Sequence, residues 1–109
     1  IRAGMTEKEL VAYLYFECFK AGADRMSFDP IIASGWRGSL PHGRPSNKVI
    51  QEGELVTIDF GIVFEDYMSD MTRTVGIGQI KQELLDIYEA VQLAQQAAVE
   101  VVRPRLMGQ

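Results

Sequence analysis

Apolar positions repeat with two different periods along the chain, and polar stretches separate them. From Glu7 to Ala21 the residues Leu10, Leu14 and Cys18 recur at every fourth position, with Val11 and Tyr15 beside them. That is the period of an amphipathic helix. Thr6-Glu7-Lys8-Glu9 at its start fits a capping box, Glu9 reaching back to the Thr6 amide, and Gly22 is a suitable stop. Leu84, Tyr88, Val91, Ala98 and Val101 carry the same period through a second helix over about Lys81–Val102, which Pro104 ends. Phe28–Ser34, FDPIIAS, predicts a short strand, and Pro30 confines it to a sheet edge or a strand start.

Gly35–Lys48, GWRGSLPHGRPSNK, has no apolar period and is rich in Gly, Pro and Ser, so it predicts a loop. Val49–Gly53 is a connector. Glu54–Gly78 then reads as a long two-stranded hairpin. One arm is Leu55–Phe60 and the other Tyr67–Val75, both rich in β-branched and aromatic residues. The predicted fold is therefore α+β: an antiparallel sheet with a long central hairpin, covered by two helices.

The hairpin carries the chemistry. Asp is depleted in strands, yet each arm holds one, Asp59 and Asp70. A turn centred between Phe64 and Glu65 sets them directly opposite each other, with Cβ atoms about 5 Å apart. Like charges so placed are destabilising. Either solvent and the neighbouring Arg73 screen them or they hold a cation, and the second reading is adopted here. Oxygen donors suit Mn or Mg, and an added imidazole admits Zn, Co or Fe. Two aspartates cannot complete the coordination of two ions, so the site is expected to be incomplete within this chain.

Composition narrows the partners. The chain has 109 residues, is 47% hydrophobic and carries a formal net charge of −4. One domain or part of one is expected, and the acidic balance argues against nucleic acid. No apolar run approaches the roughly 20 residues of a membrane span. The opening IRAGMTEKEL resembles no leader and suggests a piece of a longer polypeptide. The single cysteine, Cys18, fits a reducing, cytoplasmic setting and is read as a core residue rather than a reactive thiol. The only histidine, His42, lies in the loop, where function is more often carried than in framework elements.

FDPIIASGWRGSLPHGRPSNK followed by GELVTIDFGIVFEDYMSDMTRTVGIG resembles the Xaa-Pro aminopeptidase and prolidase branch of the pita-bread metallopeptidases, which include the methionine aminopeptidases. The resemblance covers nearly the whole chain. It implies that Asp59 in TIDFG and Asp70 in SDMTRT are metal ligands, Asp70 bridging two divalent ions. The expected metal is manganese, with cobalt, zinc or iron as alternatives. It implies that His42 in PHG is the catalytic histidine on the substrate side, and that Thr72 and Arg73 support Asp70. One His and two Glu of the family's ligand set have no counterpart here. Residues 1–109 are thus expected to be the N-terminal part of a catalytic domain, half of a pita-bread fold.

The implied reaction is hydrolysis of the bond before proline by a metal-activated hydroxide, on a peptide with proline at its second position. The truncated chain alone is expected to be inactive, and its uncovered apolar surface favours a homo-oligomer. The competing reading is a non-catalytic pita-bread-like module binding peptides or proteins. A metal-free relative acting on a small guanidino compound is disfavoured by the presence of both aspartates. A faint echo links Ile1–Thr6, before the first helix, with Val102–Gly108, after the second. It suggests that a related second half begins there.

Overall fold

The structure is a computed structural model and describes residues 1–104. Helix α1 spans Glu7–Lys20. The short strands β1 (Arg25–Met26) and β2 (Ile31–Ser34) follow, then a single 3-10 turn over Gly35–Ser39. Strands β3 (Leu55–Phe60), β4 (Ile62–Phe64), β5 (Tyr67–Met68) and β6 (Met71–Gly76) come next, and helix α2 (Gln82–Val101) closes the described chain. The echo of the N-terminal segment falls partly on residues 105–109, outside the described residues.

Helix α1 begins as its sequence predicts. The Glu9 amide donates to Thr6 Oγ1 at 3.1 Å, and the Thr6 amide donates to Glu9 Oε2 at 2.8 Å. These bonds satisfy amides that no earlier carbonyl can reach. The Thr6 amide, then its hydroxyl, hold the Glu9 carboxyl below the ordinary glutamate value. β2 starts directly after Pro30, which cannot donate to the ladder.

The hairpin is not continuous. Its arms divide between two three-stranded antiparallel sheets, ordered β2-β3-β6 and β1-β4-β5. The break lies at Gly61 on one arm and Ser69-Asp70 on the other. Ser27 Oγ donates to the Ser69 carbonyl at 2.9 Å across the gap. A methyl group on Gly61 would collide with that carbonyl oxygen and with the Ser27 hydroxyl, so only glycine fits the bend. The two-residue strand β1, too short to leave a periodic signal, joins the second sheet by pairing with β4.

The core lies between α1 and one face of the β2-β3-β6 sheet. Leu10, Ile32, Ile50, Val56 and Ile77 form it, with Ile58 and Val75 packed against it. Ile32, Ile50 and Val56 are fully buried, each contributing about 1.5–3 kcal/mol by removal from water. The expected cover by two helices is only half present. α1 packs on β2, and Leu10 is the one apolar side chain it buries completely enough to count as core. Cys18 is half-buried rather than core, and burial pushes its thiol up. α2 has no buried residue, and its apolar stripe, including Tyr88 and Val91, faces solvent. Its period is right, but periodicity states which face is apolar and not what lies against it.

Candidate metal and substrate site

β3 and β6 pair over six residues, from Leu55 opposite Gly76 to Phe60 opposite Met71. In this register Asp59 faces Thr72, not Asp70. The direct pairing of the two aspartates is therefore corrected by two residues. The turn is centred between Glu65 and Asp66, both with positive φ (47° and 66°). That is the backbone of a two-residue hairpin loop matched to strand twist. Glu and Asp lack the Asn-Gly signature of such turns, which is why the turn was expected one residue earlier. A shift of two preserves the pleat, since side chains alternate with period two. Asp70 stands two residues before Thr72, just outside β6 and at the break in the ladder.

The two faces of this ladder differ in character. Val56 and Val75 form one opposed pair on the core side, and Ile58 faces Arg73 there. On the other side Thr57 faces Thr74, their hydroxyls 3.4 Å apart, and Asp59 faces Thr72. Thr72 Oγ1 donates to Asp59 Oδ1 at 2.8 Å. The hydroxyl orients one carboxylate oxygen. Among the described residues neither the other Asp59 oxygen nor either oxygen of Asp70 has a hydrogen-bond partner or an ion-pair partner.

The roles expected for Thr72 and Arg73 change accordingly. Thr72 holds Asp59 rather than Asp70. Arg73 neither screens nor orients Asp70: its guanidinium donates to the Thr72 carbonyl at 2.8 Å. It lines, with Leu14, Ile58 and Phe60, an apolar groove of about 320 Å³ on the α1 side. A second groove there, about 680 Å³, lies between the N-terminal segment and α1. Neither groove touches Asp59, Asp70 or His42.

The loop carrying His42 lies on the polar side of the sheet. Ala33, opposite Thr57, is buried beneath it. A Cβ on Gly43 would stand 3.5 Å from the Ala33 Cβ, and one on Gly38 would stand 3.8 Å from Thr57 Oγ1. Fold topology thereby brings the His42 loop to the side of the sheet that carries Thr57 and Asp59. His42 is exposed, between Pro41 and the buried Gly43. Trp36, 70% exposed, stands on the same loop with the Arg37 guanidinium 5.7 Å from its ring.

Glu7 is the polar residue that the chain pattern did not single out. It is 0% exposed and accepts four hydrogen bonds. An acidic residue in a helix's first turn is expected from the helix dipole alone. Its partners Ser34 and Ser46 are remote in the chain and leave no local signal. Burial pushes the Glu7 carboxyl up, but the bonds from Ser46 and Ser34 outweigh it and hold the group below the ordinary value. Arg37 Nε lies 3.2 Å from Glu7 Oε2, an ion pair without an aligned hydrogen bond. Lys48 Nζ donates to both oxygens of Glu54 at 2.8 and 2.7 Å.

Known proteins share this fold. The family model for metallopeptidase family M24 matches residues 1–109. The chain is 44% identical over 108 residues to the uncharacterized peptidase YqhT of Bacillus subtilis, covering 99% of this chain and 31% of that protein. It is 43% identical over 104 residues to the Xaa-Pro dipeptidase of Pyrococcus horikoshii, covering 95% of this chain and 30% of the relative. The solved prolidase structure from Pyrococcus horikoshii superposes with a TM-score of 0.90 at 43% identity, over 95% of this chain and 30% of that one. The chain thus spans about 30% of the length of the relatives it matches. Over that span its α+β fold is the one found in solved prolidases, and the chain belongs to metallopeptidase family M24.

Proposed function

We propose that the protein containing this chain is a metal-dependent peptidase that hydrolyses the bond before proline, and that residues 1–109 form the N-terminal part of its catalytic domain. The observation that carries the reading is the Asp59–Thr72 pair with Asp70 two residues before Thr72 on the same arm. It offers two carboxylates, unpartnered but for one orienting hydroxyl among the described residues, on the hairpin whose Thr57 side the histidine-bearing loop covers. The family supports hydrolysis, and relatives named Xaa-Pro dipeptidase and prolidase support proline at the second position of the substrate.

The donors fit a hard divalent cation. They are oxygens only, and three of the four carboxylate oxygens are free of protein hydrogen bonds among the described residues. Asp59 and Asp70 would hold it, with manganese the expected metal and cobalt, zinc or iron as alternatives. No group of three or more His, Cys, Asp or Glu side chains stands together among the described residues. The remaining ligands are therefore assigned to residues outside this chain. When bound, such ions polarise a carbonyl and acidify a water.

The chain's own residues do the rest. Thr72 fixes the Asp59 carboxylate so that it need not reorganise on binding. His42, exposed on its loop, offers one imidazole nitrogen as donor and the other as acceptor to a peptide lying over the polar face. The cytoplasm is the proposed compartment, on the single free cysteine.

The test is hydrolysis of an Xaa-Pro dipeptide by the full-length protein with Mn²⁺, against the same dipeptide with alanine in place of proline. Turnover that depends on both the proline and the metal supports the reading. Metal binding without turnover of either peptide would favour a binding module instead.

A further inference from the structure

We propose that Glu7 is the positioning residue of the His42 loop, a buried clamp that closes both ends of the segment 34–46. The proposal rests on the reading of His42 as a substrate-facing group.

The geometry is a two-ended grip. Glu7 Oε1 accepts from the Ser34 amide at 2.8 Å and from Ser34 Oγ at 2.9 Å. Ser34 is the last residue of β2, where the loop departs. Glu7 Oε2 accepts from the Ser46 amide at 2.9 Å and from Ser46 Oγ at 2.6 Å. Ser46 is where the loop returns. The helix backbone reinforces the second grip, since the Lys8 amide donates to the Ser46 carbonyl and the Glu7 amide to the Lys48 carbonyl, both at 3.1 Å. These are amides that a helix start leaves without internal partners.

Arg37 extends the grip into the loop. Its Nε pairs with Glu7 Oε2, and its terminal nitrogen donates to the Arg44 carbonyl at 2.8 Å. That second contact braces the loop across the two sides of His42. Lys48 Nζ completes the cluster by donating to Ser34 Oγ at 3.0 Å.

Packing cannot substitute for this clamp. Trp36, Leu40, Pro41, His42 and Arg44 are all exposed, and Gly43 is the one buried residue between Gly35 and Arg44. A loop that buries so little apolar surface takes its shape from its hydrogen bonds. The chemistry of the clamp also demands a carboxylate. Four donors converge on two acceptor oxygens, and a glutamine would turn its own NH₂ toward one donor pair. A buried group left without its partner costs more than the bond itself contributes.

The experiment uses Glu7→Gln and Ser46→Ala in the full-length protein. Ser46→Ala removes one of the four donors, the Ser46 hydroxyl, while the Ser46 amide still reaches Glu7 Oε2, and it keeps the test open if Glu7→Gln does not fold. Hydrogen exchange across residues 35–45 is expected to be faster in both variants, and unchanged exchange would overturn the clamp. kcat/KM on an Xaa-Pro dipeptide is expected to fall about 10- to 100-fold, the scale of a small misplacement near a reacting group. Mn²⁺ affinity, assigned to Asp59 on β3, Asp70 just before β6 and ligands outside this chain, is expected not to change. In a His42→Ala background either substitution should cost little further activity; equal losses in both backgrounds would make Glu7 a merely structural residue. If the wild-type protein does not hydrolyse the dipeptide, the functional reading fails alone, and hydrogen exchange still decides the clamp.

Discussion

Thr72 stands directly opposite Asp59, and its hydroxyl donates to Asp59 Oδ1 at 2.8 Å. The bond leaves Asp59 Oδ2 open and fixes the plane of the carboxylate. In the full-length protein Thr72→Val, which keeps the branched shape and removes the donor, is expected to weaken divalent binding about tenfold or more. Asp70→Asn, which neutralises a ligand, is expected to weaken it much further. Titration calorimetry with Mn²⁺ checks both, and equal binding by wild type and Asp70→Asn would remove Asp70 from the ligand set.

Residues 1–109 alone are expected to show no turnover of an Xaa-Pro dipeptide with added Mn²⁺. Two aspartates leave most of the coordination of two ions to water. A chromatographic assay for released proline measures this, and clear turnover would refute the incomplete-site argument.

Gly61→Ala is expected to destabilise the protein by about 1–3 kcal/mol, the cost of forcing atoms into a filled site. The added methyl meets the Ser69 carbonyl and the Ser27 hydroxyl at the point where the hairpin divides. A urea midpoint matching wild type would show that the bend relaxes freely.

The turn residues Glu65 and Asp66 both hold positive φ without being glycine. Replacing the pair by Asn-Gly is expected to stabilise the protein by about 1 kcal/mol, because the new residues reach that backbone with less strain. The amide at position 65 still donates to Asp24 Oδ2 in the variant, since the donor belongs to the main chain. Thermal unfolding of both forms decides the sign.

Glu7 links stability to pH. Its folded carboxyl lies below the ordinary value of 4.5, so its contribution is full above that value and is lost as pH falls through the lowered one. The stability difference between wild type and Glu7→Gln is therefore expected to be largest near neutrality and to shrink below about pH 4.5. Urea titrations at a series of pH values measure it, and a constant difference would contradict the assignment.

What could be read along the chain was whatever short-range chemistry controls. The Thr6–Glu9 box, the helix periods and the β-branched arms each involve neighbours a few residues apart; both helices and the arm Leu55–Phe60 formed within a residue of their expected bounds, while the arm Tyr67–Val75 divided into β5 and β6. The candidate residues Asp59, Asp70 and His42 were visible as residue types out of place in strands or alone in a loop. The side of Asp59 and Thr72 followed from the pleat, because an error of two residues in register does not change sides.

The register itself was not legible, because the Glu65-Asp66 turn uses residues without the usual preference for its backbone. Nor was the division of the hairpin, which depends on Ser27 approaching Ser69 from another part of the chain. The buried role of Glu7 was hidden for the same reason: its donors lie 27 and 39 residues away. Local pattern thus established the helices, the first arm and the side of Asp59. The partner of Asp59, the isolation of Arg73 from the carboxylates and the grip on the His42 loop arose from contacts between distant segments, whose energies exist only once the chain has folded.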